Sequence, residues 1–357
     1  MKILFITRKF PPSTGGMELF ARDLYMALGD KTDTRLVKWG GSNKALPLVL
    51  PYLALRAVWE LAKGGIDIIH VQDGLLAPLG YALAKLSGKP FGIVIHGLDI
   101  TYDNKLYKLF VPWAVRRADV VFCISQAAAN AARQRGVADS KIHAIPLAVA
   151  DELYGKSNRA ELISWLQLPA ESHLLLTVGR LVKRKGVAWF ICDALPGLVK
   201  QYPGLIYLVV GEGGERRDIE TAIKRSDMVK NVQLLGRISG GLYEAAYNGA
   251  DVFVMPNINV PGDIEGFGLV LLEASTCALP VVAADTEGIK DAIEDGKNGV
   301  LVPSGDTKAF QREISRFLAD PALAKRFGAQ SRDFTLATYQ WDKIAGRYIE
   351  QYQRLLH

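Results

Sequence analysis

Short, strand-like and largely apolar runs recur along the chain at residues 3–7, 66–71, 91–95, 120–123 and 142–145. Between them lie longer stretches, at 18–28, 75–86 and 126–135, whose apolar residues return every three to four positions. Runs that are apolar on both alternating sets of positions predict strands buried on both faces, and the slower rhythm predicts crossover helices; together they describe a parallel sheet covered by helices. Residues 146–159 break the pattern and read as a linker. A second alternation follows, with strands expected at 173–178, 206–210, 232–235, 252–255, 281–284 and 300–302, and after Asp306 the pattern is helical to the end. The expected fold class is α/β: two doubly wound parallel-sheet domains, residues 1–150 and 151–338, facing each other across a cleft, with a terminal helical segment at 339–357. Ligands of such sheets gather outside the carboxyl ends of the strands, so the candidate chemistry is sought there.

Composition narrows the class. A chain of 357 residues is longer than one core comfortably serves, and 49% hydrophobic with 22% charged residues describes an ordinary globular protein. Cys123, Cys192 and Cys277 are odd in number and far apart, and two stand in apolar runs, which favours buried thiols in a reducing cytosol. Residues 2–7 are apolar but Arg8, Lys9 and two prolines follow, so no secretory signal is read. The longest apolar stretch, 45–55, contains Pro47 and Pro51 and is too short to span a bilayer. The expected location is cytoplasmic. Charge is uneven: residues 1–150 carry 19 Lys+Arg against 11 Asp+Glu, and the rest 24 against 26. The basic residues of the first half, such as Lys44, Arg56, Lys63, Lys105 and Arg117, stand among prolines and aromatics including Trp59 and Trp113. That suits a contact with an anionic membrane surface at its inner face, and equally a merely solvated basic face. No nucleic-acid-binding module accompanies the charge.

Four segments carry candidate chemistry. Glu265-Gly266-Phe267-Gly268-Leu269 precedes an apolar helix that contains Glu273 about two turns in. A glycine-flanked helix start exposes backbone N–H groups that favour phosphate, whereas the two carboxylates suit neutral hydroxyls of a sugar or ribose. Phosphate plus polyol suggests a nucleotide sugar. After the first strand, Gly15 and Gly16 open a helix and would let an anion approach the backbone; a plain turn capped by Ser13 or Thr14 is the alternative. His96 follows the strand at 91–95 and either lines the cleft or caps the turn. Arg180, Lys183, Arg184 and Lys185 follow the strand at 173–178; Arg180 and Lys185, flanking the turn, are assigned to a diphosphate, and Lys183 and Arg184 to solvent. Histidine and cysteine spacings suggest no metal, and no cofactor is expected.

With these residues assembled, the chain resembles the retaining glycosyltransferases of family 4, which have the two-Rossmann-domain GT-B fold. The resemblance rests on Gly15-Gly16-Met17-Glu18, His96-Gly97-Leu98-Asp99, the run from Val178-Gly179-Arg180 to Lys185-Gly186, and the Glu265/Glu273 pair. It implies that the second domain binds a nucleotide-diphosphate sugar and the first an acceptor. By that analogy Arg180 and Lys185 hold the diphosphate, Glu273 the ribose, and Glu265 with the backbone of Gly266, Phe267, Gly268 and Leu269 the sugar. Gly15 and Gly16 approach the phosphates, His96 contacts the transferring sugar, and Arg237 lies against the base. Such enzymes end with a helix that crosses back to the first domain, here expected within 340–355. The expected reaction moves a sugar from a UDP- or GDP-linked donor to a glycan, lipid-linked or phosphorylated acceptor in cell-envelope glycoconjugate synthesis, without a metal. A nucleotide-sugar epimerase and a non-catalytic nucleotide-sugar-binding protein are the alternatives. Two positions depart from the family pattern: Leu147-Ala148-Val149-Ala150-Asp151 replaces the usual Asn-Gly-Val-Asp, and Asp99 stands where glutamate is common.

Overall fold

The computed structural model describes the chain apart from Thr14, Ser42, Asn43, Lys44, Asp103, Gly262, Ile264 and His357, and gives only the backbone of Leu98, Thr101, Lys105 and Leu106. The readings that involve Thr14, Lys44 and the Lys105 side chain therefore lie outside the described residues. The chain divides into two compact units, Met1–Ala148 together with Tyr339–His357, and Val149–Thr338.

The first unit is built on six parallel strands: β1 (Lys2–Thr7), β2 (Asp33–Lys38), β3 (Ile68–Val71), β4 (Phe91–Ile95), β5 (Val120–Cys123) and β6 (Ile142–Ala144), in the order β2-β1-β3-β4-β5-β6. β3, β4 and β5 are buried along their whole length, as their largely apolar sequences predict; His70 of β3 is the polar exception. β2 is absent from the expected strands. It is an edge strand in which only Val37 is buried, so its polar residues hide it from a search for apolar runs. The sequence 45–55 begins the helix Leu46–Ala62, which carries Pro51 inside it.

The terminal helix Trp341–Leu356 belongs to this first unit. Tyr348 and Tyr352 are fully buried against Phe122 of β5, with ring centroids 4.3 and 5.3 Å away. Gly92 of β4 makes this possible, since a Cβ there would come within 2.7 Å of the Tyr352 ring. The Tyr352 hydroxyl lies 2.6 Å from Nδ1 of His70, whose Nε2 is 2.7 Å from Oε1 of Gln72. Burial dominates at His70 and pulls its pKa down to about 4, so the ring is neutral at pH 7.

The second unit repeats the plan with β7 (His173–Val178), β8 (Leu205–Val210), β9 (Val232–Gly236), β10 (Val252–Met255), β11 (Val281–Asp285) and β12 (Val300–Pro303), in the order β12-β11-β10-β7-β8-β9, again all parallel. In each sheet the winding reverses once. β1 is flanked by β2 and β3, and β7 by β8 and β10, so the crevices between β1 and β3 and between β7 and β10 are the switch points where open α/β sheets hold ligands.

Candidate functional site

At the switch point of the second sheet, two loops bring opposite charges together. The loop after β7 ends in the 3-10 turn Lys183–Lys185, and the loop after β10 carries Asn257, Asp263 and Glu265. Lys185, 7% exposed, places Nζ 2.7 Å from Oε2 of Glu265. The same oxygen accepts a hydrogen bond from Nδ2 of Asn257 at 3.1 Å and stands 3.5 Å from Nε of Arg184. Arg184 also donates from Nη1 to Asp263 at 2.8 Å. Burial by itself would raise the Glu265 pKa; Lys185, Arg184 and Asn257 outweigh it and hold the carboxyl below its ordinary range. Burial pulls the Lys185 ammonium down, against the raising effect of Glu265.

Arg184 thus corrects the assignment of that residue to solvent. It is 8% exposed, because the turn that sends Lys183 outward sends the next side chain under the β10 loop toward two carboxylates. Arg180 is exposed and forms no ion pair among the described residues.

Glycine sets how closely these loops pack. Gly186 has φ +64°, and a Cβ there would overlap the Pro256 carbonyl of the β10 loop; Gly211, at φ +136°, would likewise overlap the Gly179 carbonyl after β7. The β10 loop then enters the helix Leu269–Thr276 through Gly268, which is left-handed (φ 83°, ψ 52°). That conformation starts the helix at Leu269, so Glu273 lies just over one turn in, a correction to the expected two. Phe267 is buried, and Gly266 and Gly268 are half-buried beside it.

Glu273 takes no part in the ion pairs that hold Glu265. Its Oε2 accepts from the hydroxyls of Tyr243 and Tyr247 at 2.9 and 2.8 Å, one turn apart on the helix Gly241–Gly249. Burial raises its pKa, and the two tyrosines only partly offset this. Arg237 is exposed directly after β9, and the preceding Gly236 (φ +65°) faces Oε1 of Glu212, which pairs with Arg216.

The first unit has its own polar cluster at its switch point. Arg8 after β1 donates from Nε to Oδ1 of Asp73 after β3 at 3.0 Å, and Asp73 is fully buried with Oδ2 unpartnered. Asp99 accepts from the backbone N–H groups of His96 (2.8 Å) and Gly74 (3.0 Å), tying the β4 loop to the β3 loop. Burial, countered by His96 and reinforced by Asp73, raises its pKa. The His96 ring donates from Nε2 to the Gln72 carbonyl at 2.9 Å and packs edge-on against Phe20. Gly16 opens the helix Gly16–Gly29; a Cβ on Gly16 would meet no atom within 4 Å, whereas one on Gly15 would crowd the Glu18 carboxylate. Among the described residues no group of three or more His, Cys, Asp or Glu side chains is placed to hold a metal ion.

Apart from Arg8, the residues of these two loop clusters fall within two matching family models. One, described as Glycosyltransferase Family 4, covers residues 14–153, and the other, Glycosyl transferases group 1, covers 158–334. The chain belongs to the family 4 glycosyltransferases. It is 26% identical, over 98% of its length and 97% of the relative's, to the GDP-mannose-dependent alpha-(1-6)-phosphatidylinositol monomannoside mannosyltransferase of Mycolicibacterium smegmatis. Sucrose-phosphate synthase of Thermosynechococcus elongatus superposes with a TM-score of 0.78 at 25% identity, covering 99% of both chains. Anabaena HepE, solved with UDP and glucose, shares the fold with a TM-score of 0.79 at 21% identity, covering 99% of this chain and 100% of that one.

In this glycosyltransferase the residues that sequence reasoning passed over are those that hold others in place. Tyr243 and Tyr247 announce themselves only as aromatics four apart on a helix, the ordinary mark of a core face. Asn257 and Asp73 each follow an apolar strand directly or nearly so, and that position was the available signal.

Proposed function

We propose that the chain transfers a sugar, with retention of anomeric configuration and without a metal, from a UDP- or GDP-linked donor to a glycan, lipid-linked or phosphorylated acceptor in cell-envelope synthesis at the inner face of the cytoplasmic membrane. The second unit takes the donor and the first the acceptor. The observation that supports this most strongly is the Lys185–Glu265–Arg184 cluster at the β7/β10 switch point. Lys185 spends one of its three protons on Glu265 and keeps two for a diphosphate oxygen, while exposed Arg180 is free to close over the same group. Both cations act on charge that grows as the diphosphate leaves, where fixed charges contribute most.

Glu265 stays ionised at neutral pH and therefore accepts from sugar hydroxyls; a carboxylate already tied to Lys185 and Asn257 is a weak nucleophile. The backbone from Gly266 to Leu269 adds donors to the sugar. The reading is accordingly front-face attack, with the leaving phosphate oxygen taking the acceptor's proton. Glu273, steadied by two tyrosines, receives the ribose hydroxyls, Arg237 lies against the base, and His96 faces the transferring sugar. Gly15 and Gly16 approach the phosphates, and packing within the fold gives no reason for glycine at 16. The mannosyl donor in the relative's name and the UDP bound to HepE favour GDP and UDP as the bases to try first.

The test is to incubate the chain with UDP-, GDP- and ADP-sugars in EDTA and measure nucleoside diphosphate release. Slow release from one donor is expected. Release from none, or release that requires added Mg²⁺ or Mn²⁺, contradicts the proposal.

A further inference from the structure

One face of the first unit is apolar and unpartnered. The helix Leu46–Ala62 buries Val49, Leu53 and Ala57, yet its outward side carries Leu48, Tyr52, Leu55 and Trp59, which are 45–77% exposed. A surface helix ordinarily turns polar side chains to water. Here the polarity is reversed: the helix's one carboxylate, Glu60, is buried and engaged by Arg35, Arg56 and Lys63. The helix Lys105–Val115 adds exposed Leu109, Phe110 and Trp113.

Between these helices runs an open groove of about 660 Å³, walled by Ala54, Leu79, Phe110 and Val111, with Leu75 and Tyr107 also lining it. Those last two connect it to the acceptor-side cluster. The Tyr107 hydroxyl donates to the Asp99 carbonyl, and the Leu75 N–H to the Asp73 carboxylate.

The charge around this face selects its occupant. Lys63 lies 3.2 Å and Arg56 4.7 Å from the Trp59 ring centroid, and Arg117 lies 4.2 Å from that of Trp113. Cations held at the level of exposed indoles, beside aliphatic side chains, match the boundary between anionic head groups and acyl chains. A second copy of the chain would oppose these cations to one another. No helix among the described residues is long and apolar enough to cross a membrane, so any lipid contact of these helices is peripheral.

We infer that this face docks on an anionic lipid bilayer and that the groove takes the hydrocarbon of a bilayer-resident acceptor, whose head group reaches the loop of His96 and Asp99. The inference deepens the acceptor reading above and rests on it. The test is flotation of the full chain with vesicles of phosphatidylcholine and phosphatidylglycerol, against phosphatidylcholine alone, together with tryptophan quenching by lipids brominated on the acyl chain. The wild type floats with the anionic vesicles at low salt and is quenched. Trp59→Phe/Trp113→Phe still floats but loses most of the quenching. Leu55→Glu/Trp59→Glu, at exposed positions, floats at least about tenfold less. UDP or GDP binding, assigned to the other unit, is unchanged in that variant, so a failed flotation leaves the donor assignment standing, and absent nucleotide binding would count against the donor assignment alone. Absence of flotation, persistent quenching in the Trp→Phe variant, wild-type flotation of the Glu variant, or a solution dimer dissolved by those substitutions would each overturn the inference.

Discussion

Replacing Lys185 with methionine keeps the buried aliphatic stem and removes only the ammonium, so it isolates the charge at the β7/β10 switch point. Removing one partner of a buried ion pair costs about 3–5 kcal/mol, because the other charge is left uncompensated. Here Glu265 retains Asn257 at 3.1 Å and Arg184 at 3.5 Å, which places the loss at the lower end, about 3 kcal/mol. For a unit of this size that corresponds to a melting temperature about 6–12 °C lower. Turnover should fall about a hundredfold or more, the usual consequence of deleting one oriented charge at a leaving group. Adding Glu265→Gln to Lys185→Met should restore part of the stability, with a coupling of about 1–3 kcal/mol, but none of the turnover. Differential scanning fluorimetry and nucleoside diphosphate release measure the two effects separately. If Lys185→Met melts with the parent and turns over within about tenfold of it, Lys185 neither supports Glu265 nor meets the diphosphate, and the reasoning fails.

Three further outcomes are expected. Gly16→Ala should leave the melting temperature unchanged, since a Cβ there meets nothing within 4 Å, yet lower turnover at least about tenfold by blocking the phosphate's approach; wild-type turnover would remove Gly16 from the site. Glu273→Gln, which can still accept from Tyr243 and Tyr247, should weaken nucleoside diphosphate affinity about 10–100-fold by calorimetry through lost charged hydrogen bonds to ribose, and unchanged affinity would reassign the residue to packing. His70 has its pKa depressed from 6.5 to about 4, so the unfolded chain binds the extra proton first and stability present above pH 6.5 is lost as pH falls toward 4. The loss is about 3 kcal/mol, read from urea midpoints of the wild type against His70→Gln, whose profile should be flatter; parallel profiles would refute the assignment.

The fold was legible where one force acts alone. β4, β5, β7 and β10 fall at the expected residues because a strand buried on both faces is a plain apolar run. β2 was missed because an edge strand that buries only Val37 mixes Asp33, Thr34 and Arg35 into its pattern. At the site, spacing revealed that a basic turn follows β7, but not that Arg184 turns inward while Arg180 faces out. That choice depends on Asp263 and Glu265, 79 and 81 positions further along, whose approach is set by Gly186 against Pro256. The partners of Glu273 were hidden for the same reason, since a tyrosine pair on another helix is indistinguishable from core until tertiary structure brings it near.

The central claim is that cations after β7 grip the diphosphate of an activated sugar, and calorimetric titration of UDP, GDP and ADP into the wild type and Arg180→Ala/Lys185→Met tests it most directly. The account predicts that one diphosphate binds the wild type and loses at least about a hundredfold in affinity to the double variant, two charged contacts having been removed. Equal affinity for both proteins, or no binding of any of the three nucleotides to the wild type, would contradict it.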